Sequence, residues 1–226
     1  MTMPFYVAPE QVMKDRADYA RKGIARGRSL AGLIYDDGVL ICAENQSRTL
    51  HKVSEIYDHI AFAGVGRYNE FDSLRTAGVR LADLRGYSYS REDVDARSLA
   101  NAYAQTLGQV FTHEMKPMEV EILVAELGVD EHPDQLFHIL YDGTVVDEEN
   151  FTVLGGEAET IAERLKERFS EGMELAAALR AAVAALAGPE RSLTATDLEV
   201  AHLARRNGRR AFRRIVDGEL EQLVGA

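Results

Sequence analysis

Strand-like segments in this chain come in pairs around tight turns, and helix-like segments separate the pairs. Leu30–Tyr35 and Val39–Ala43 flank the turn Asp36-Asp37-Gly38, a sequence typical of a β-hairpin. Leu50–Tyr57 and His59–Val65 predict a second hairpin. Because strands joined by such short turns pair antiparallel, this order excludes a doubly wound parallel sheet.

Between these hairpins, apolar residues recur at intervals of three to four, the spacing of a helix face. Helices are predicted at Pro9–Arg26, from Tyr68 to Leu84, at Asp95–Glu114, with Asp95 as the candidate cap, at Ala158–Phe169 and at Glu174–Ala187, with a closing helical turn at Glu219–Val224. Further strands are predicted at Glu119–Leu127, Leu136–Tyr141, Thr144–Val146 and Phe151–Leu154, with a final hairpin of Leu198–Leu203 and Phe212–Val216 around Asn207-Gly208.

The resulting order is α, ββββ, αα, βββ(β), αα, ββ, α. Each sheet has two apolar faces that must be buried. If the two sheets pack against each other, their inner faces are covered, and the helix pairs can cover the outer faces. We therefore predict an α+β fold, a four-layer αββα sandwich. No linker rich in Pro, Gly or Ser divides the chain, so a single domain over residues 1–226 is expected.

Composition limits the kinds of partner and the cellular compartment that we expect for this chain. The formal net charge of −11 disfavours nucleic acid and anionic membranes as partners. Cys42 is the single cysteine, which excludes an intrachain disulfide and a Cys-ligated zinc site. Its place inside a strand predicts a buried, inert thiol. With no apolar stretch long enough to span a bilayer and no secretory signal, we expect a cytoplasmic protein.

Charge is distributed unevenly along the chain. Residues 113–149 hold eleven acids and one base, Lys116, whereas residues 204–214 hold six arginines and no acid. Two interpretations stay open: opposite patches that favour head-to-tail self-association, or two solvated faces.

Motifs for metal, nucleotide or serine-hydrolase chemistry are absent from the sequence. The six histidines form no HxxxH or HExxH pattern, and His138 is expected on the surface or as a satisfied core residue. There is no GxSxG or Walker A motif, and Gly64-Val65-Gly66 lacks the third glycine of a dinucleotide loop. The sequence therefore predicts no cofactor and no metal.

Several long segments resemble proteasome α subunits. Tyr19–Gly27 resembles the end of that family's N-terminal helix, Asp37–Asn45 its first hairpin, and Leu50–Asp58 its next strand. Four further segments resemble the actinobacterial branch of the family in particular: Arg67–Asp72, Ala100–Gly108, Lys116–Glu121 and Arg209–Ile215. The resemblance covers nearly the whole chain. It implies the αββα sandwich of N-terminal-nucleophile hydrolases with an extra N-terminal helix.

The same resemblance separates catalytic from non-catalytic subunits. Catalytic β subunits use an N-terminal threonine whose free α-amine acts as the base. Arg28 occupies that position here, and 27 residues precede it, so its nitrogen is an amide. Glu44 and Lys52 fall where β subunits carry an acid and a lysine. The resemblance implies a non-catalytic component of a threonine-type endopeptidase complex.

Two alternatives stay open. One is a self-sufficient N-terminal-nucleophile hydrolase that uses Thr2 after loss of Met1, or Ser29 after cleavage before it. The other is a free adaptor domain that uses the fold only for binding.

A proteasome α subunit is expected to form homo-heptameric outer rings and to contact neighbouring α subunits and β subunits. The resemblance implies an activator-docking pocket of Lys52, Gly27 and Gly66, where the lysine pairs with the C-terminal carboxylate of a hexameric ATPase activator. The alternatives are an exposed strand lysine and two glycines needed only for turns and a helix end.

The resemblance also implies a gate at the start of the chain. Residues 1–8 are expected to form the gate, 9–26 the N-terminal helix and 28–226 the sandwich. The gate residues are Pro4, Phe5, Tyr6 and Val7, which are apolar enough to pack against their copies at a ring centre. A disordered terminus is the alternative.

Overall fold

The computed structural model describes residues 8–130 and 132–225. None of the helices in this part of the chain is long and apolar enough to cross a membrane. The gate residues Pro4 to Val7, and Thr2, lie outside the described residues.

Six α-helices carry the helical part of the chain. They are α1 (Pro9–Ile24), α2 (Tyr68–Ser88), α3 (Ala96–His113), α4 (Ala158–Lys166), α5 (Leu175–Ala187) and α6 (Asp217–Gly225). The predicted cap of α3 is confirmed, since Asp95 Oδ1 accepts a hydrogen bond from Ser98 N at 2.8 Å. Helix α1 ends two residues earlier than predicted because the Gly27 N–H bonds to the Ile24 carbonyl, tightening the last turn.

Ten strands form two antiparallel sheets. They are β1 (Leu30–Tyr35), β2 (Gly38–Glu44), β3 (Val53–Tyr57), β4 (Ile60–Gly66), β5 (Val120–Glu126), β6 (Gln135–Ile139), β7 (Val145–Glu148), β8 (Phe151–Leu154), β9 (Leu198–Ala204) and β10 (Phe212–Ile215). Their orders are β10-β9-β2-β1-β8 and β3-β4-β5-β6-β7. The hairpins predicted on either side of Gly38, Asp58 and Asn207 are all present.

Alternate residues on each strand face different layers, which places three apolar cores between four layers. On β1 and β2, Leu33 and Leu40 face the layer of α4, α5 and α6. Their neighbour Ile41 faces the second sheet instead. On that sheet Phe62 and Ile122 face α2 and α3. The predicted αββα sandwich is confirmed.

Helix α1 lies outside these four layers and closes one end of the space between the sheets. Ala20 and Ile24 are buried in the inter-sheet core, whereas most of the helix surface is exposed. Cys42 is fully buried, and burial raises the pKa of its thiol to about 12, as expected for an inert cysteine.

Candidate functional site

Arg28, which the family resemblance aligns with the nucleophile position, lies two residues before β1. Its side chain is half exposed and donates to the Glu44 carboxylate at the end of β2. Helix α1 precedes it, so its backbone nitrogen is a peptide amide. Ser29, next in the chain, is buried, and its carbonyl accepts the N–H of Glu44 at 3.0 Å. Neither residue offers a free amine beside an activated hydroxyl.

Glu44 is a buried carboxylate between two guanidinium groups. Only 4% of its side chain is exposed. Besides Arg28, Arg191 contacts both carboxylate oxygens, at 3.0 and 3.2 Å. Arg191 is itself fixed by a 2.8 Å hydrogen bond to the Leu186 carbonyl. A buried carboxylate needs such compensation, and here two cations provide it. We call Arg28, Glu44 and Arg191 the Glu44 clamp.

Lys52 lies directly beside the Glu44 clamp. Its Nζ donates to the carbonyl oxygens of Arg28 at 2.6 Å and Glu44 at 3.0 Å. Burial lowers the pKa of Lys52 to about 8, although Glu199 and Glu44 oppose this shift. Two of the three ammonium donors are therefore engaged, and the third has no partner within the described residues.

Glu199 on β9 fixes the backbone that presents Lys52. Its carboxylate accepts the backbone N–H of Lys52 at 2.8 Å and of Val53 at 3.2 Å. It also accepts hydrogen bonds from Asn45 Nδ2 at 2.8 Å and from Arg214 Nη1 at 2.5 Å. The strand β3 begins at Val53 and not at Leu50 as predicted, and the Glu199 carboxylate holds the backbone at this point.

A surface pocket lies on the other side of Arg28. It has a volume of about 360 Å³ and is lined by Tyr19, Gly23, Arg26, Gly27, Gly66, Arg67 and Glu119. Gly27 and Gly66 touch across its floor, since a Cβ on Gly27 would lie 3.0 Å from Gly66 N. Gly66 has a φ of +105°, and its Cβ would lie 2.0 Å from the Glu119 carbonyl oxygen. Only glycine fits at position 66.

Charged side chains around Glu119 form the wall of this pocket. Glu119 pairs with Lys116 at 3.0 Å and with Arg67 at 3.3 Å, and Lys116 also reaches Glu70 at 2.6 Å. Burial disfavours the charged form of Glu119, but these hydrogen bonds outweigh it and lower its pKa. Arg26, also on the wall, has no acid within 4 Å in the described ranges.

The structure thus brings Gly27 and Gly66 together but leaves Lys52 off the lining of their pocket. Lys52 reaches the same stretch of chain through the carbonyl of Arg28, the residue after Gly27. Sequence reasoning missed Arg191 and Glu199. Arg191 lies in a loop and Glu199 is an isolated acid in an apolar strand, so neither has a local signal.

The six arginines of residues 204–214 are engaged within the chain. Their acidic partners lie within 4 Å, in the pairs Arg205–Asp134, Arg206–Asp37, Arg209–Asp58, Arg210–Glu55, Arg213–Glu219 and Arg214–Glu199. Of these acids, Asp134 alone belongs to the acid-rich segment 113–149. These contacts weaken the interpretation in which the arginines pair with acidic residues of a neighbouring copy of the chain.

Across residues 8–130 and 132–225, no group of three or more His, Cys, Asp or Glu side chains is placed to hold a metal ion. His138, on β6, is mostly buried and lies 3.5 Å from Glu121.

Comparison with known proteins gives one consistent result. The family model described as "Proteasome subunit" matches residues 24–203. "Proteasome subunit alpha" of Acidimicrobium ferrooxidans is 62% identical over 225 residues, covering 100% of this chain and 97% of that protein. Those of Sanguibacter keddieii and Thermomonospora curvata are 59% and 58% identical, covering 100% and 99% of this chain and 91% and 98% of the relatives.

Proposed function

The chain belongs to the proteasome family as an α subunit of actinobacterial type, and from this we propose that it is a non-catalytic outer-ring subunit of the bacterial core particle. A proteasome α subunit assembles with other proteasome subunits. We propose that the partners here are α neighbours in a homo-heptameric ring and a β subunit that carries the catalytic threonine. In this role the whole chain acts as a single cytoplasmic domain.

The Glu44 clamp is the observation that carries the non-catalytic assignment. An N-terminal nucleophile needs a hydroxyl or thiol with a free amine beside it. At the corresponding position stands a guanidinium bound to Glu44, on a residue whose nitrogen is acylated by the preceding chain. The acid and lysine that would assist such a nucleophile are engaged with Arg28, Arg191 and backbone carbonyls instead.

We further propose that Lys52, Gly27 and Gly66 dock an ATPase activator through its C-terminal carboxylate. Lys52 keeps one donor without a partner among the described residues, which suits a carboxylate. Gly27 and Gly66 keep the adjoining pocket free of side chains. The carboxylate then binds at Lys52, and the residues before it reach the pocket past Arg28.

Residues 1–8, with Pro4, Phe5, Tyr6 and Val7, are proposed to form the gate that controls substrate entry. Their apolar side chains suit packing against copies at the centre of a ring. This proposal rests on the family and the sequence alone.

Native mass spectrometry of the chain co-expressed with its cognate β subunit tests the assignment. The expected product is a four-ring particle whose α chain is uncleaved at residue 28 and unlabelled by a threonine-directed covalent inhibitor. A β subunit whose N-terminal threonine is replaced by alanine should give the same particle without peptide hydrolysis. A chain cleaved before Ser29 or labelled at Thr2 would support the hydrolase alternative, and a monomer that ignores β would support the adaptor.

A further inference from the structure

Lysine is scarce in this chain, and one lysine differs from the rest. Lys+Arg total 26, of which five are lysines, at positions 14, 22, 52, 116 and 166. Lys14, Lys22 and Lys166 are exposed. Lys116 is held in ion pairs with Glu70 and Glu119. Lys52 is mostly buried, and within the described ranges no carboxylate oxygen lies within 4 Å of its Nζ.

The two acceptors of Lys52 are backbone carbonyls, and this matters for its neutral form. A neutral amine has two N–H groups and a lone pair. Its two N–H groups can keep both bonds, to Arg28 O at 2.6 Å and Glu44 O at 3.0 Å, when the third proton leaves. The lone pair then takes the position of the donor that has no partner. Deprotonation of Lys116, in contrast, breaks two ion pairs.

The surroundings of Lys52 Nζ also favour nucleophilic chemistry. Lysine becomes a nucleophile when it is desolvated or lies beside another cation. Here desolvation is the condition that holds, because burial lowers the pKa of Lys52 to about 8 and outweighs Glu199 and Glu44, which raise it, while Arg28 lowers it by a smaller amount. At pH 7 a group with that pKa is neutral in about a tenth of molecules, far more than an ordinary lysine.

We propose that Lys52 is a modification site that accepts a small activated acyl group from an acyl phosphate or acyl thioester. The Nζ lone pair attacks the acyl carbon and forms an N–C bond. The C–O or C–S bond breaks, its electron pair leaves with phosphate or thiolate, and the extra proton on Nζ passes to solvent. The product is a neutral amide that keeps one N–H.

Acylation has a consequence that rests on the proposed docking function. The amide at Lys52 carries no charge and too few donors to hold both carbonyls and a carboxylate. Acylated rings are therefore expected to lose the activator. The modification itself does not depend on docking, so the two ideas can be tested separately.

Competition among this chain's five lysines within the assembled particle tests the modification without any variant. The particle, co-expressed with its β subunit, is treated with acetyl phosphate at pH 7 and quenched at intervals. Digestion after arginine and peptide mass spectrometry give the occupancy of each lysine. Lys52 should label about tenfold faster than exposed Lys14 or Lys166, and Lys116 slowest. Lys52 labelling no faster than Lys14 would overturn the proposal.

A pH series adds a second readout, one that does not depend on how accessible each lysine is to the reagent. The labelling rate of Lys52 should level off above about pH 8, where its amine is already neutral, whereas the other lysines keep accelerating. A Lys52 rate that rises in parallel with Lys14 to pH 10 would contradict the proposal. Repeating the series with an acetyl thioester separates the two donors, and selectivity with either one supports the site.

Activator binding by the acetylated particle then distinguishes the two ideas. Binding that falls in proportion to Lys52 occupancy, and that a Lys52→Gln particle also lacks, supports both the site and the docking role. Labelling selective for Lys52 with binding unchanged would overturn the docking role and leave the modification site standing.

Discussion

Arg191 and Glu44 form a two-point ion pair across 147 residues of chain, with nitrogen–oxygen distances of 3.0 and 3.2 Å. The pair joins the loop after α5 to the end of β2, and Arg28 completes it from the start of β1. Three separate segments thus meet at one buried carboxylate.

Replacing Arg191 with methionine should destabilise the subunit. Glu44 would stay buried with Arg28 as its single cation, and a buried charge that loses a partner is costly. Because Arg28 remains and the Arg191 side chain is 42% exposed, we expect a loss of about 1–2 kcal/mol in unfolding free energy. Urea unfolding measures it. Arg168→Met is the control, since among the described residues Arg168 has a single ion pair, with its neighbour Glu167 at 3.8 Å, and one long hydrogen bond to the Arg164 carbonyl at 3.5 Å. Equal effects of the two variants would refute the clamp.

Removing the charge of Lys52 should weaken activator docking. In the assembled particle we expect Lys52→Met to lower activator affinity at least about tenfold, the usual loss for a charge-assisted contact. Lys166→Met, at an exposed helical lysine, is the control. Surface-bound particles titrated with the cognate ATPase give the affinity. An activator whose C-terminus is amidated should bind the Lys52→Met and Lys166→Met particles equally weakly. Normal binding of the unmodified activator by the Lys52→Met particle would exclude the docking role.

Alanine at Gly66 should be far more damaging than alanine at Gly208. Both glycines have positive φ, +105° and +74°, and at Gly208 the ψ of −149° completes a conformation that costs a side chain about 1–3 kcal/mol. At Gly208 a Cβ meets nothing within 4 Å, so this cost stands alone. At Gly66 the Cβ would overlap the Glu119 carbonyl oxygen at 2.0 Å, which raises the expected loss above about 3 kcal/mol. Thermal unfolding compares the two, and similar melting temperatures would rule out the close contact.

Stability should fall as the pH drops from about 6.5 to about 4, in part through His202. Burial, together with the nearby Arg213, lowers the pKa of His202 from 6.5 to about 4, so the folded state holds this imidazole neutral. The unfolded chain takes up the proton at higher pH, so folding stability is present above 6.5 and is lost on acidification. The full difference corresponds to about 3 kcal/mol.

Urea unfolding at pH 7 and pH 4.5 measures this loss, and His202→Gln is the test variant. Within the described chain His202 bonds Tyr35 at 2.8 Å and Arg213 at 3.2 Å, contacts that glutamine can partly replace without titrating. The variant should be less stable at pH 7 but should lose less on acidification. His113→Gln, at an exposed histidine, should behave as the parent does. An unchanged slope in the His202 variant would count against this assignment.

The layers of the fold were predictable because local patterns encode them. Asp-Gly and Asn-Gly turns identify hairpins, and apolar spacing identifies the helices that cover them. The site was predictable only in part. Lys52, Gly27 and Gly66 came from resemblance, whereas Arg191 and Glu199 act through contacts across about 150 residues of chain. Such long-range contacts produce no periodic pattern in the sequence.

The Glu44 clamp also determines which changes would be needed to build a nucleophile at position 28. Changing Arg28 to threonine would give a hydroxyl at the right place, but its nitrogen would still be joined to the 27 residues before it. The same change would take one of two cations from a buried carboxylate, so the variant would be less stable than the parent. A nucleophile at this position therefore requires at least two coordinated changes, a new cleavage and a new counterion for Glu44. No single substitution at position 28 supplies both.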